Sequence, residues 1–84
     1  MPVKKVCVIT GGTSGIGLCT AQAMLEKGYT VYELSRRAEG APGMNHIAAD
    51  VTKEETLAAA IQEILKREDH IDVLINNAGF GISG

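Results

Sequence analysis

A chain of 84 residues, 45% hydrophobic and 21% charged, is one small domain or part of a larger one, with the composition of an ordinary soluble globular protein. Its net charge of -2 gives no reason to expect nucleic acid or an anionic membrane as a partner. No apolar run approaches the ~20 residues that cross a bilayer. The apolar stretch behind the N-terminal lysines is too short for a signal peptide, so the cytoplasm is the expected compartment.

Lys5 to Thr10, KVCVIT, is short, β-branched and nearly all apolar, which predicts a strand covered on both faces. TGGTSGIG follows, Thr10 to Gly17, with Gly11, Gly12, Gly15 and Gly17 crowded together. Helical spacing begins there: Ile16, Cys19, Thr20, Ala23 and Met24 make one stripe, and Leu18, Ala21 and Leu25 another. Ser14 is the expected N-cap and Gly28 the C-terminal stop. Tyr29 to Ser35 predicts a second strand, and Gly40, Pro42 and Gly43 mark a loop. His46 to Asp50 predicts a short third strand. Thr52 with Glu55 spells a capping box, opening a helix whose apolar face is Leu57, Ile61, Ile64 and Leu65 and which ends near Arg67. IDVLINNAG, Ile71 to Gly79, predicts a fourth strand ending in a polar turn. Cys7 and Cys19 lack metal-site spacing and read as two buried thiols. His46 and His70 lie near element boundaries and read as surface or edge residues, not ligands.

Strands of the buried type alternating with helices imply parallel pairing through right-handed crossovers. The expected fold is α/β: half of a doubly wound, Rossmann-type parallel sheet, β-α-β-β-α-β, with strand order 3-2-1-4. Residues 1–84 then form a single partial dinucleotide-binding domain.

The glycine loop falls between the first strand and its helix. A helix N-terminus offers free N–H groups and partial positive charge, and glycines let an anion approach the backbone. Spacing separates the possible guests. Gly12 and Gly17 have the separation of a triphosphate-binding loop, but Leu18 follows where lysine is required. Gly-x-Gly-x-x-Gly also fails, because Thr20 stands at its last position. What remains is Thr-Gly-x-x-x-Gly-x-Gly: Thr10, Gly11, Gly15 and Gly17.

That loop, Asp50-Val51 at the end of the third strand, and NNAG, Asn76 to Gly79, at the end of the fourth, occur in an order that resembles the short-chain dehydrogenase/reductase family. The resemblance covers essentially the whole chain. It implies a nicotinamide dinucleotide coenzyme held by Gly11, Thr13, Ser14, Gly15, Ile16 and Gly17, with Asp50 and Val51 against the adenine. Asp50 has a compatible second role, capping the helix that begins near Lys53. Asn76 and Asn77 are expected to tie strands together. The backbone of Ala78 and Gly79, with Asn77 beside them, is the expected coenzyme lining.

NAD-binding units of this type hold the ribose with an acidic residue at the end of the second strand. The matching position here is Ser35, followed by Arg36 and Arg37, whose guanidinium groups suit a 2′-phosphate. NADP is therefore the expected coenzyme. NAD is the alternative, with Glu33 as its ribose ligand.

The family's chemistry uses a serine and a Tyr-x-x-x-Lys pair. Tyr29 is followed four positions on by Glu33, and Tyr32 by Arg36, so the pair is absent. The chain reads as the N-terminal, coenzyme-binding half of an oxidoreductase acting on a carbonyl or secondary alcohol, without turnover of its own. The alternative is a stand-alone module that binds nucleotide or self-associates without catalysis. In either case the fourth strand would be an apolar edge, expected to associate with another copy or with the missing C-terminal half.

Overall fold

The computed structural model describes residues 4–11, 15–36, 43–50 and 52–76. Its elements are Val6–Thr10 (β1), Gly15–Glu26 (α1), Thr30–Ser35 (β2), Asn45–Ala48 (β3), Glu54–Glu68 (α2) and Val73–Asn76 (β4). The sheet is parallel with order β3-β2-β1-β4, the expected topology.

Every residue of β1 is buried, as a strand covered on both faces must be. Its alternation sends Val6 and Val8 to one face, where Tyr32, Leu34, Ala60 and Ile64 pack. Cys7 and Ile9 go to the other face, against Ala21, Val31 and the partly buried Met24 and Leu25. No helix among the described residues is long and apolar enough to cross a membrane.

Several local expectations shift. α1 turns Gly17 and Ala21 to the sheet, while Ile16, Cys19 and Ala23 of the expected stripe are exposed. Cys19 lies about 200° around the helix from Gly17, so it is an exposed thiol; Cys7 alone is the buried one. Burial raises the Cys7 thiol above its ordinary pKa and keeps it neutral. α1 stops at the expected place, with the Gly28 N–H donating to the Leu25 carbonyl at 2.9 Å. In α2, Ala60 and Ile64 are buried and Leu57 and Ile61 pack partly beneath them, whereas Leu65 is 40% exposed.

The capping box of α2 does not form: Lys53 is the N-cap and makes no side-chain cap bond. Thr56 takes over one turn in. Its hydroxyl donates to the Asp50 carbonyl at 2.6 Å and accepts from the Asp50 N–H at 3.0 Å. Glu54 and Glu55 open α2 and Lys66 and Arg67 close it, which suits the helix dipole.

β4 begins two residues later than IDV suggests, because Asp72 pairs in two ways. Its N–H donates to the Val6 carbonyl at 2.9 Å, and its Oδ2 accepts from the Val6 N–H at 2.8 Å. His70 sits beside it, with Nε2 at 3.0 Å from Asp72 Oδ2 and Nδ1 at 2.9 Å from the Glu68 carbonyl, so it is an edge residue that fixes the entry to β4. His46 differs from expectation: its side chain is 11% exposed, and Nδ1 lies 2.5 Å from Glu33 Oε1 on the neighbouring strand. A cross-strand partner offsets part of the cost of burying the Glu33 carboxyl.

Candidate functional site

All four strands run in one direction, so Thr10, Ser35, Ala48 and Asn76 end at one edge of the sheet. Backbone bonds carry the pairing past the strand ends: the Gly11 N–H donates to the Leu34 carbonyl at 3.0 Å, and the Ala49 N–H to the Ser35 carbonyl at 2.8 Å. A cleft of about 220 Å³ opens there, lined by Gly11, Leu34, Ser35, Arg36, Ala49, Asp50 and Thr52. Crevices outside the carboxyl ends of such strands are where open α/β sheets bind ligands.

Two glycines are required by conformation. Gly11 has φ 68° and Gly15 φ 59°, both left-handed. A Cβ on Gly15 would meet nothing within 4 Å, so at this position backbone angle, not crowding, excludes larger residues. Gly15 also starts α1, whose first turn contains no acidic residue. That turn adds no negative charge to the positive end of the helix dipole, in contrast to α2, which opens on Glu54 and Glu55. Ile16, on the same turn, is 77% exposed, an apolar surface beside the helix start.

Asp50 lies at the far wall. Its Oδ1 accepts from the Thr52 N–H at 3.0 Å and from the Thr52 hydroxyl at 2.5 Å. The Thr52 hydroxyl and N–H, with the nearby charges of Arg36 and Lys53, hold the Asp50 carboxyl below its ordinary pKa. Asp50 is thus ionised, and its backbone is tied to Thr56 in the first turn of α2. Asp50 therefore lines the cleft but does not cap α2: its carboxyl bonds Thr52 ahead of the helix, and the N-cap is Lys53, which makes no side-chain cap bond. Arg36 is exposed and is the one cation among the described residues that line the cleft.

Glu33 is not one of those residues. It is fully buried, its Oε1 faces His46, and its Oε2 has no hydrogen-bond partner among the described residues. The carboxyl that the sequence offered as a ribose ligand thus faces His46 between strands and not the cleft. Asn76 ties strands as expected, its Oδ1 accepting from the Thr10 hydroxyl at 3.0 Å. Among the sequence candidates, Gly11, Ser35, Arg36 and Asp50 converge on the cleft, and Gly15 and Ile16 stand at the start of α1. Gly17 is buried in the first turn of α1 and packs the helix onto the sheet. Gly12, Thr13, Ser14, Arg37, Val51, Asn77, Ala78 and Gly79 lie outside the described residues. Leu34, Ala49 and Thr52 line the cleft without having been singled out as ligand-binding. Their adjacency to the predicted strand ends was the available signal.

The family profile described as short chain dehydrogenase matches residues 5–84. A probable short-chain type dehydrogenase/reductase of Helicobacter pylori is 43% identical over 84 residues, covering 94% of this chain and 31% of its own. Actinorhodin polyketide ketoreductase, solved with NADPH, superposes with a TM-score of 0.83 at 30% identity, over 92% of this chain and 34% of its own. A 3-ketoacyl-(acyl-carrier-protein) reductase of Brucella melitensis, solved in complex with NADH, gives a TM-score of 0.83 at 33% identity, over 94% of this chain and 36% of its own. The chain spans about a third of the length of these relatives.

Proposed function

The chain belongs to the short chain dehydrogenase family, and from that premise we propose that it supplies the coenzyme-binding part of an NADP(H)-dependent oxidoreductase acting on a carbonyl or secondary alcohol. The observation that carries the coenzyme choice is Arg36, the cation lining the cleft just past the end of β2, where Ser35 stands in place of an acidic residue. A carboxylate there would accept the ribose hydroxyls and repel a 2′-phosphate; a serine and a guanidinium do the reverse.

The described residues fit the group. Left-handed Gly11 and Gly15 and the start of α1, whose first turn has no acidic residue, suit a pyrophosphate, and Leu34, Ala49 and Asp50 offer an apolar wall with one acceptor to an adenine. At about 220 Å³ the cleft is smaller than the ~300–1,000 Å³ of whole small-molecule sites, so it takes one end of a dinucleotide. When bound, a nicotinamide coenzyme supplies hydride transfer. The residues of this chain bind and orient it. No residue here takes the catalytic tyrosine role, because neither tyrosine precedes a lysine by four positions.

The test is titration of the chain with NADP and NAD, repeated with Arg36→Ala. Loss of a charge-assisted bond worth about 1.5–3 kcal/mol weakens NADP by roughly 10- to 100-fold. NAD affinity stays where it was. An unchanged preference in the variant refutes the role of Arg36.

A further inference from the structure

Asp50 stands where the chain leaves the sheet. Ala49 before it is buried in the core and donates its N–H to the Ser35 carbonyl at 2.8 Å. Asp50 itself lines the cleft, and its main chain is held by a side chain instead. The Thr56 hydroxyl accepts from the Asp50 N–H at 3.0 Å and donates to the Asp50 carbonyl at 2.6 Å. A hydroxyl carries one proton and two lone pairs, so one group serves both ends. A threonine that served only its helix would bond the carbonyl three or four residues back. That carbonyl, of Lys53, lies at 3.0 Å from the same hydroxyl, so the shorter contact is the one that leaves α2 for the cleft wall. The Asp50 carboxyl is fixed separately, by the N–H and hydroxyl of Thr52.

Resting on the reading of this cleft as the adenine end of a dinucleotide site, we propose that Thr56 is a positioning residue for coenzyme binding. It does not line the cleft. It acts through Asp50, whose main chain it fixes so that the carboxyl is presented to the ligand. The path is continuous. Ala60 and Ile64 pack α2 onto the sheet, with Leu57 beside Thr56 packing partly into the same core. The packed helix places Thr56, and Thr56 places Asp50. Thr52 can aim the carboxyl only if the backbone that carries it is already held. A wall ordered before the ligand arrives spares binding the cost of ordering it. Without the hydroxyl, the Asp50 N–H loses its partner and the carbonyl keeps one bond, from the Lys53 N–H at 2.9 Å.

The experiment is titration of the chain with adenosine 2′,5′-bisphosphate, followed by nuclear magnetic resonance, with circular dichroism reporting the fold. Thr56→Val keeps the shape and removes the hydroxyl; its dissociation constant rises about five- to thirtyfold. Thr56→Ser, which keeps the hydroxyl, binds like the parent. In an Asp50→Ala background, Thr56→Val adds less than about twofold, because the group it positions is gone. Ile61→Ala loosens the packing of α2 without touching Asp50, so it lowers the melting temperature and leaves the dissociation constant where it was. A parent chain that does not bind the bisphosphate overturns the coenzyme reading, and this proposal with it. A parent that binds while Thr56→Val binds equally well overturns the proposal alone. So does an undiminished loss in the Asp50→Ala background, or a loss in Thr56→Ser as large as in Thr56→Val. A Thr56→Val chain that no longer folds also overturns it, since the hydroxyl then serves the fold and not the cleft.

Discussion

Ile64→Ala and Ile16→Ala are the same chemical change at opposite extremes of burial. Ile64 is fully buried on α2 against Val8, Tyr32 and Leu34, whereas Ile16 is 77% exposed at the start of α1. Truncating isoleucine to alanine deletes three carbons, worth ~0.8 kcal/mol each in transfer free energy. The cavity left behind raises the expected cost at Ile64 to about 3–4 kcal/mol. An 84-residue domain has roughly 4–13 kcal/mol to lose, at ~0.05–0.15 kcal/mol per residue. Each kcal/mol moves the midpoint of a domain this size by about 4–8 °C, so Ile64→Ala should lower Tm by roughly 12–30 °C. Ile16→Ala should stay within ~0.5 kcal/mol of the parent. Its effect belongs in coenzyme titration, since Ile16 stands beside the glycine loop. Thermal and urea melts followed by far-ultraviolet circular dichroism measure both variants. The packing argument fails if Ile64→Ala costs under ~1 kcal/mol, or if the two variants melt together.

Gly15→Ala places a side chain at φ 59° with nothing within 4 Å, so its cost is conformational strain alone, about 1–2 kcal/mol. Urea melts should show that loss; no loss would mean the left-handed angle is not held in solution. Tyr32→Phe removes the hydroxyl that donates to Glu68 Oε2 at 2.6 Å, at a cost of about 1–2 kcal/mol near neutrality. Burial first, and the Glu68 bond second, raise the Tyr32 phenol above its ordinary pKa, with Arg67 pulling the other way. A folded-state value above the unfolded one means stability present below pH ~10 and lost as pH climbs through the folded value. The stability gap between the parent chain and Tyr32→Phe should therefore narrow above pH ~10. A gap that stays constant to strongly alkaline pH would refute that linkage.

Much of this fold is legible in order. β1 announces itself because both faces are covered, so nearly every position is apolar. The crossover rule then turns the strand-helix alternation into order 3-2-1-4 without further information. The candidate site is legible for the same reason: parallel strands end together, so Gly11, Ser35, Arg36 and Asp50, far apart along the chain, line one cleft.

Other features turned on contacts between residues distant along the chain. Thr52 and Glu55 have the spacing of a capping box, but Thr52 bonds Asp50 instead and Thr56 closes the turn. Glu33 carries a charge at a plausible distance from the loop; only the pairing of β2 with β3 shows it buried against His46. Cys7 and Cys19 look alike in sequence and differ because one lies in the central strand and the other on the outer side of α1. Periodicity and strand composition are local properties, and with the crossover rule they determined the topology. Which carboxylate is buried and which cap forms depend on pairs of residues that the folded chain brings together, and only the tertiary structure decided them.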